Sequence, residues 1–324
     1  MGQTYSQAFP PPAKLTEKNL PDQSGKVFIV TGATSGLGKE LSNILYAHNA
    51  KVYLAARSQE KASKAIEEIR QKNPDSIGAL IFLPLDLDDL RTIKDSAEWF
   101  LKREERLDVL WNNAGVMIPP KGTTTKQGYE KQLGINALGP FLFTKLLMSV
   151  LQSTARSPAT GTLTPDVRVV WLSSSMVQGF APTGGVDMNN LDYKNEKHAM
   201  HKYAVSKAAN TLYSAELARR HGKDRIISVS LDPGNLRTDL QRSASPGLRK
   251  VWNLLLQDPK LGAHTELFAG LSPDVKNNAW IIPYGRFGVL RNDIEAATRT
   301  EEQGGSGIAL KFWEWSEKQV LPYV

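Results

Sequence analysis

Tyr203 and Lys207 stand four residues apart. On a helix that spacing puts both side chains on one face, with Cβ atoms about 5–6 Å apart. A phenol with a pKa of about 10 is a poor acid–base at neutral pH. A neighbouring ammonium favours the phenolate. The pair therefore predicts a proton donor and acceptor tuned toward the working range; an ordinary helix face is the competing reading. A second group, Thr31-Gly32-Ala33-Thr34-Ser35-Gly36-Leu37-Gly38, joins an apolar run to a helical stretch. Gly32, Gly36 and Gly38 permit a tight turn and close approach of a diphosphate. With Ser35 and Leu37, they bring that anion to the free N–H groups of the helix. The second apolar run ends Ala55-Ala56-Arg57-Ser58, with no acid to hold a ribose 2′-hydroxyl. The planar guanidinium of Arg57 suits a 2′-phosphate instead, and Lys61, one turn on, adds charge. NADP is thus the expected cofactor, with a solvated surface Arg57 as the alternative.

These groups need a scaffold, and the hydrophobic pattern supplies one. Short Val/Ile/Leu-rich runs occur at Val27–Val30, Val52–Ala55, Leu80–Leu83, Val109–Trp111, Val167–Leu172, Ile226–Val229 and Trp280–Ile282. Each has the length of a strand covered on both faces. Helical stretches are predicted between them at 36–48, 59–72, 88–104, 128–151 and 200–221. Alternation of this kind predicts an α/β fold: a doubly wound parallel β-sheet with helices on both faces, the Rossmann fold, in a single domain over 25–324. Residues 1–24, rich in Pro and polar residues, read as an N-terminal arm lying on or off the body. Ser153–Pro165 reads as a flexible connector. Leu236–Asp274, partly helical, reads as a substrate loop at about 236–275.

The chain has 324 residues, 41% hydrophobic and 23% charged, enough to bury a core without metal or disulfide. It has no cysteine, which excludes disulfides, thiolate metal sites and a cysteine nucleophile. The net charge of +7 comes from 40 Lys and Arg against 33 Asp and Glu and is spread along the chain. A nucleic-acid partner would need a clustered basic stripe, so none is expected. No apolar run is long enough to span a bilayer, and a cytoplasmic location is expected. Gly2 with Ser6 fits a myristoylation pattern, which would give only reversible membrane association. His198 and His201 lack a third ligand, so no metal is expected. Phe312, Trp313, Trp315 and Tyr323 read as core or dimer packing.

Thr31–Gly38 resembles the glycine segment of the short-chain dehydrogenase/reductase family. Asn112-Asn113-Ala114-Gly115 resembles its Asn-Asn-Ala-Gly motif, and Tyr203-Ala204-Val205-Ser206-Lys207 its Tyr-x-x-x-Lys motif. Pro233-Gly234 with Thr238 resembles the segment over the nicotinamide. Asp86-Leu87 resembles the pair that meets the adenine, although Asp86 could instead cap the next helix. The resemblance spans about 25–240 in the correct order. It implies a cofactor site that includes Asn113, Ala114, Gly115, Tyr203, Lys207, Pro233 and Thr238. It also implies a substrate-orienting serine, assigned to Ser174 with Ser173 and Ser175 as alternatives, and a water-anchoring Asn136, for which a buried, backbone-bonded asparagine is the alternative. Ser174 and Tyr203 are 203 − 174 = 29 residues apart, a longer interval that resembles the retinol-dehydrogenase-like subgroup. The implied activity is hydride transfer between NADP and a small-molecule carbonyl or alcohol carbon, in a homodimer or homotetramer. A non-catalytic NADP sensor and an epimerase or dehydratase of related fold are the alternatives.

Overall fold

The computed structural model describes residues 6, 10–157, 167–237 and 256–324. Its centre is an eight-stranded sheet in the order β3-β2-β1-β4-β5-β6-β7-β8. The strands are β1 Val27–Thr31, β2 Lys51–Ala56, β3 Ala79–Pro84, β4 Val109–Asn112, β5 Val167–Leu172, β6 Ile226–Leu231, β7 Trp280–Ile282 and β8 Arg286–Phe287. All pair in parallel except β8, which runs antiparallel to β7 at the edge. β1 reads Val-Phe-Ile-Val-Thr and is buried throughout, because helices cover both of its faces. Ile29 joins one core, while Phe28 and Val30 join the other.

The helices are α1 Gly36–Ala47, α2 Gln59–Lys72, α3 Leu90–Leu101, α4 Lys131–Leu146, α5 Met148–Arg156, α6 Met176–Phe180, α7 Ala199–His221, α8 Pro259–Leu271, α9 Asn292–Ala297 and α10 Ile308–Val320. On one face α3, α4, α7 and α10 enclose Phe100, Phe141, Trp171, Tyr213 and Phe312. On the other, α1, α2 and α8 enclose Leu41, Ile69, Trp111 and Leu267. Chain order reverses between β1 and β4, and a crevice opens there beyond the carboxyl ends of the strands.

Several elements depart from the sequence pattern. The helix expected over 128–151 is broken: Gly134–Leu138 is π-helical, and α4 and α5 meet at a 52° bend. Pro140 has no N–H to give the carbonyl of Asn136, so the ordinary helical ladder cannot run through this turn. Ser153–Arg156 belongs to α5 rather than to a connector, whereas 158–166 lie outside the described residues. The helix expected over 88–104 is shorter, capped at its start by Asp89. Strand β8 and helices α6, α9 and α10 were not among the expected elements, although α10 buries a stripe of Ala309, Phe312, Trp313, Ser316 and Val320. Of the arm, Leu20 is buried, the Gln23 N–H donates to the His48 carbonyl at 2.7 Å, and Glu17 pairs with Lys260 and His264 of α8.

Candidate active site

The crevice holds a cavity of about 730 Å³. At one end lies the glycine turn. Gly32 has φ +69°, and a Cβ there would sit 2.9 Å from the Ala114 Cα; a Cβ on Gly38 would meet the Asn113 side chain at 2.5 Å. Both positions therefore need a residue without a side chain. Ser35 is the N-cap of α1 but makes no side-chain capping bond, and the first turn carries no acid. The N–H groups at the head of this helix are thus presented to the cavity without a capping side chain, as an anion site requires. Asn113 donates to the Thr31 carbonyl at 2.7 Å, and the Ala114 N–H donates to Thr31 Oγ1 at 2.9 Å. These bonds clamp β4's exit to β1 and place Gly115 at the cavity wall.

Gly32, Ser35, Gly36, Leu37 and Gly38 line this cavity, as do Arg57, Asp86 and Leu87 farther along it. Arg57 is exposed and has no hydrogen bond or ion pair with the described residues, so its guanidinium is available to a phosphate. Lys61 is on the first turn of α2 and is not among the lining residues. Asp86 does not cap the following helix. It accepts the Asp88 N–H at 3.0 Å, and the cap is Asp89. Pro233 lines the cavity; Thr238 lies outside the described residues. The residues present fit a phosphorylated dinucleotide: an uncapped helix start, a glycine cradle that side chains would fill, and an unpartnered guanidinium.

At the other end, β5 and α7 bring Ser174, Tyr203 and Lys207 together. The Ser174 hydroxyl lies close enough to the Tyr203 phenol to favour its ionised form. Ser173 is otherwise engaged, donating to the Lys207 carbonyl at 2.8 Å and accepting from Thr211 at 3.1 Å. Ser175 serves as N-cap of α6. Of the three serines, the structure thus brings Ser174 to the phenol. Lys207 donates to the Leu172 carbonyl at 2.9 Å, with its Nζ 5.9 Å from the centre of the Tyr203 ring.

The electrostatics differ from the sequence expectation. Burial pushes the Tyr203 phenol up, the Asp232 carboxylate adds to that rise, and the Ser174 hydroxyl opposes it. Lys207 is pushed down to about 8 by burial, with Glu266 opposing. Spacing alone shows that the two groups meet; it does not show that both are fully desolvated, which here outweighs their mutual effect.

Asn136 is buried beside this group but does not line the cavity. Its side chain accepts the Val116 N–H at 2.7 Å and donates to the Val116 carbonyl at 2.9 Å and to Ser206 at 3.0 Å. It fixes the segment following Gly115, so its side chain acts on the backbone beside the cavity.

Sequence reasoning missed Asp232, a buried carboxyl pushed up to about 6 by burial against the N–H groups of Gly234 and Ser175. It also missed Met117, Met176 and Met200, which line the cavity. Their only signal was proximity in sequence to Gly115, Ser174 and Tyr203.

Residues 26–159 match the family model for short chain dehydrogenases. A short-chain dehydrogenase/reductase of Phomopsis amygdali is 52% identical over 99% of this chain and 97% of its own. One from Emericella nidulans is 49% identical over 97% of this chain and 98% of its own. Among solved structures, a Mycobacterium paratuberculosis protein is similar with TM-score 0.68 and 25% identity, over 94% of this chain and 97% of that one. The RhlG/NADP active-site complex of Pseudomonas aeruginosa shares the fold at TM-score 0.61 and 21% identity, over 80% and 95% of the two chains. A Rossmann sheet, a glycine cradle and near-full-length relatives at about half identity converge: this chain belongs to the short-chain dehydrogenase/reductase family of oxidoreductases.

Proposed function

We propose that this protein is an NADP(H)-dependent oxidoreductase interconverting a carbonyl and an alcohol on a small molecule, with Tyr203 as the proton donor and acceptor. The observation that carries this reading is that Ser174, Tyr203 and Lys207 line one cavity together with the glycine turn. The reduced nicotinamide, when bound, supplies the hydride. Ser174 orients the substrate oxygen by a hydrogen bond. Tyr203, protonated because burial disfavours its phenolate, gives its proton to that oxygen as the carbon is reduced. Lys207, fixed on the Leu172 carbonyl, directs its remaining N–H donors into the cavity, where they hold the nicotinamide ribose and stabilise the phenolate. Asn136 anchors a water through which the proton is replaced. Arg57 and the head of α1 hold the phosphates, Arg57 selecting the 2′-phosphate.

NADPH oxidation over a panel of ketones and aldehydes tests this reading. Wild type should turn over at least one substrate. Tyr203→Phe should lose about 10²–10⁴-fold in kcat, the usual contribution of a positioned acid, while retaining cofactor affinity. Tight NADPH binding with no turnover across the panel would instead favour a cofactor sensor.

A further inference from the structure

The cavity separates its charges from its apolar surface. Among the described residues, its charged lining side chains are Arg57, Asp86, Asp88, Lys131 and Lys207. Arg57 and Asp86 follow β2 and β3, beside the glycine turn rather than beside Tyr203. Asp88 and Lys131 form an ion pair at 2.7 Å and cancel each other. Lys207 is tied to the Leu172 carbonyl. Around Tyr203 and Ser174 the wall is of another kind. Met200, Tyr203 and Lys207 stand at i, i+3 and i+7 on α7, so they form one stripe facing the cavity. The thioether lies at the end of that stripe away from the ammonium. Met176 opens α6 two residues after Ser174, and its N–H donates to the Ser174 hydroxyl at 3.2 Å. Met117 follows the segment that Asn136 pins through Val116. Three of the six methionines in the chain thus line this cavity, all half-buried. Phe180, one turn beyond Met176 on the same short helix, is 52% exposed.

Methionine is unbranched, polarisable and flexible, and conforms to apolar ligands of varied outline. It offers nothing to an ionised group, and a carboxylate drawn into such a wall would lose its hydration without gaining a partner. Building on the reading of this site as a carbonyl–alcohol oxidoreductase, we infer that its substrate is an uncharged, predominantly apolar ketone, aldehyde or alcohol. It is gripped by Met117, Met176 and Met200, with its one polar atom at Ser174 and Tyr203. Substrates that carry an ionised group on the Met side are rejected.

The test compares 2-nonanone with 8-oxononanoate, methyl ketones of equal length that differ by a terminal carboxylate. Binding to the full chain saturated with NADP⁺ is measured by calorimetry. The neutral ketone should bind at least about tenfold more tightly, a modest part of the penalty for burying an unpaired ion. Met200→Lys, and independently Met176→Lys, should shift the ratio toward the carboxylate by at least a similar factor; thermal unfolding checks that each variant is folded. Equal or tighter carboxylate binding to wild type, no binding of either compound, or an unchanged ratio in both folded variants would overturn the inference. Because binding is read without turnover, a ketone that binds as expected but is not reduced by NADPH would defeat the catalytic reading and leave this one standing.

Discussion

Lys207 illustrates how a buried cation can be both useful and poised to lose its charge. The folded value of about 8, below the usual lysine range, means that the ammonium is complete below pH 8 and is lost as pH rises through it. Tyr203, pushed in the opposite direction, stays protonated over the same interval. For carbonyl reduction, kcat/KM should therefore be level below about pH 8 and fall above it, as the cofactor-orienting charge disappears. A pH profile level through pH 10 would show that this charge is dispensable. Arg57 makes a separate prediction. A charge-assisted hydrogen bond is worth about 1.5–3 kcal/mol, so Arg57→Ala should raise KM for NADPH about ten- to a hundredfold. KM for NADH should scarcely change, since that cofactor has no 2′-phosphate; equal losses for both would end the 2′-phosphate assignment. Residue-scale chemistry was legible in the sequence where it was contiguous: the glycine turn and the Tyr203/Lys207 spacing lie within single local segments. The choice among Ser173, Ser174 and Ser175 was not, because it depends on which hydroxyl α7 already occupies. Asp232 and Glu266 were invisible for a related reason, since burial is a property of the assembled sheet and its helices.

Elements were read well where one face is apolar and the other polar. The bounds of α1 and α2 fall within a residue of those expected, because the glycine turn before α1 and the Ser58 cap and apolar stripe of α2 are local. The π-helical turn at Gly134–Leu138 was missed since its cause is a competition between helix geometry and neighbours. Pro140 withholds an N–H, and Gly134 and Gly139 lie so close to Thr125 and Leu87 that no side chain fits. The segment before β1 is a second case of neighbours deciding. Burial raises the Glu17 carboxyl, but its hydrogen bonds from Lys260 and His264 outweigh this and hold it down to about 2. A folded value below the ordinary 4.5 stabilises the fold at pH above 4.5, and that contribution fades as pH falls toward 2. Glu17→Gln should accordingly loosen residues 10–24 at neutral pH. The expected cost is about 1 kcal/mol, given the partial exposure of the site. Limited proteolysis reads it: cleavage within this stretch should be faster in the variant at pH 7, with the difference shrinking toward pH 3. Identical cleavage at both pH values would mean that Leu20, rather than the ion pairs, holds the segment.

Across the whole molecule, the site and its furthest support lie at opposite sides of one core. Helix α10 was not among the expected elements, yet its aromatic residues are where α4 and α7 are joined. Tyr213 of α7 stacks on Phe141 at 4.8 Å and on Phe312 at 5.0 Å, and Trp313 meets Phe141 edge-on at 4.8 Å. Tyr213 and Ser316 share a hydrogen bond at 2.6 Å inside this cluster. No described residue beyond Leu256 lines the cavity, so the cluster supports the helix bearing Tyr203 and Lys207 without touching a ligand. Phe312 is fully buried, and truncating such a ring to alanine removes stacked contacts and leaves a void, at a cost of about 3–5 kcal/mol. Phe312→Ala should therefore lower the denaturation midpoint clearly. In the fraction that remains folded, Kd for NADPH and the pH dependence set by Lys207 should be unchanged, because the glycine turn, Arg57 and the Leu172 carbonyl belong to other elements. Denaturant unfolding paired with cofactor titration separates the two effects. A loss of cofactor affinity in step with the loss of stability would mean instead that the aromatic cluster sets the position of α7, and that the active-site geometry depends on the carboxyl-terminal helix.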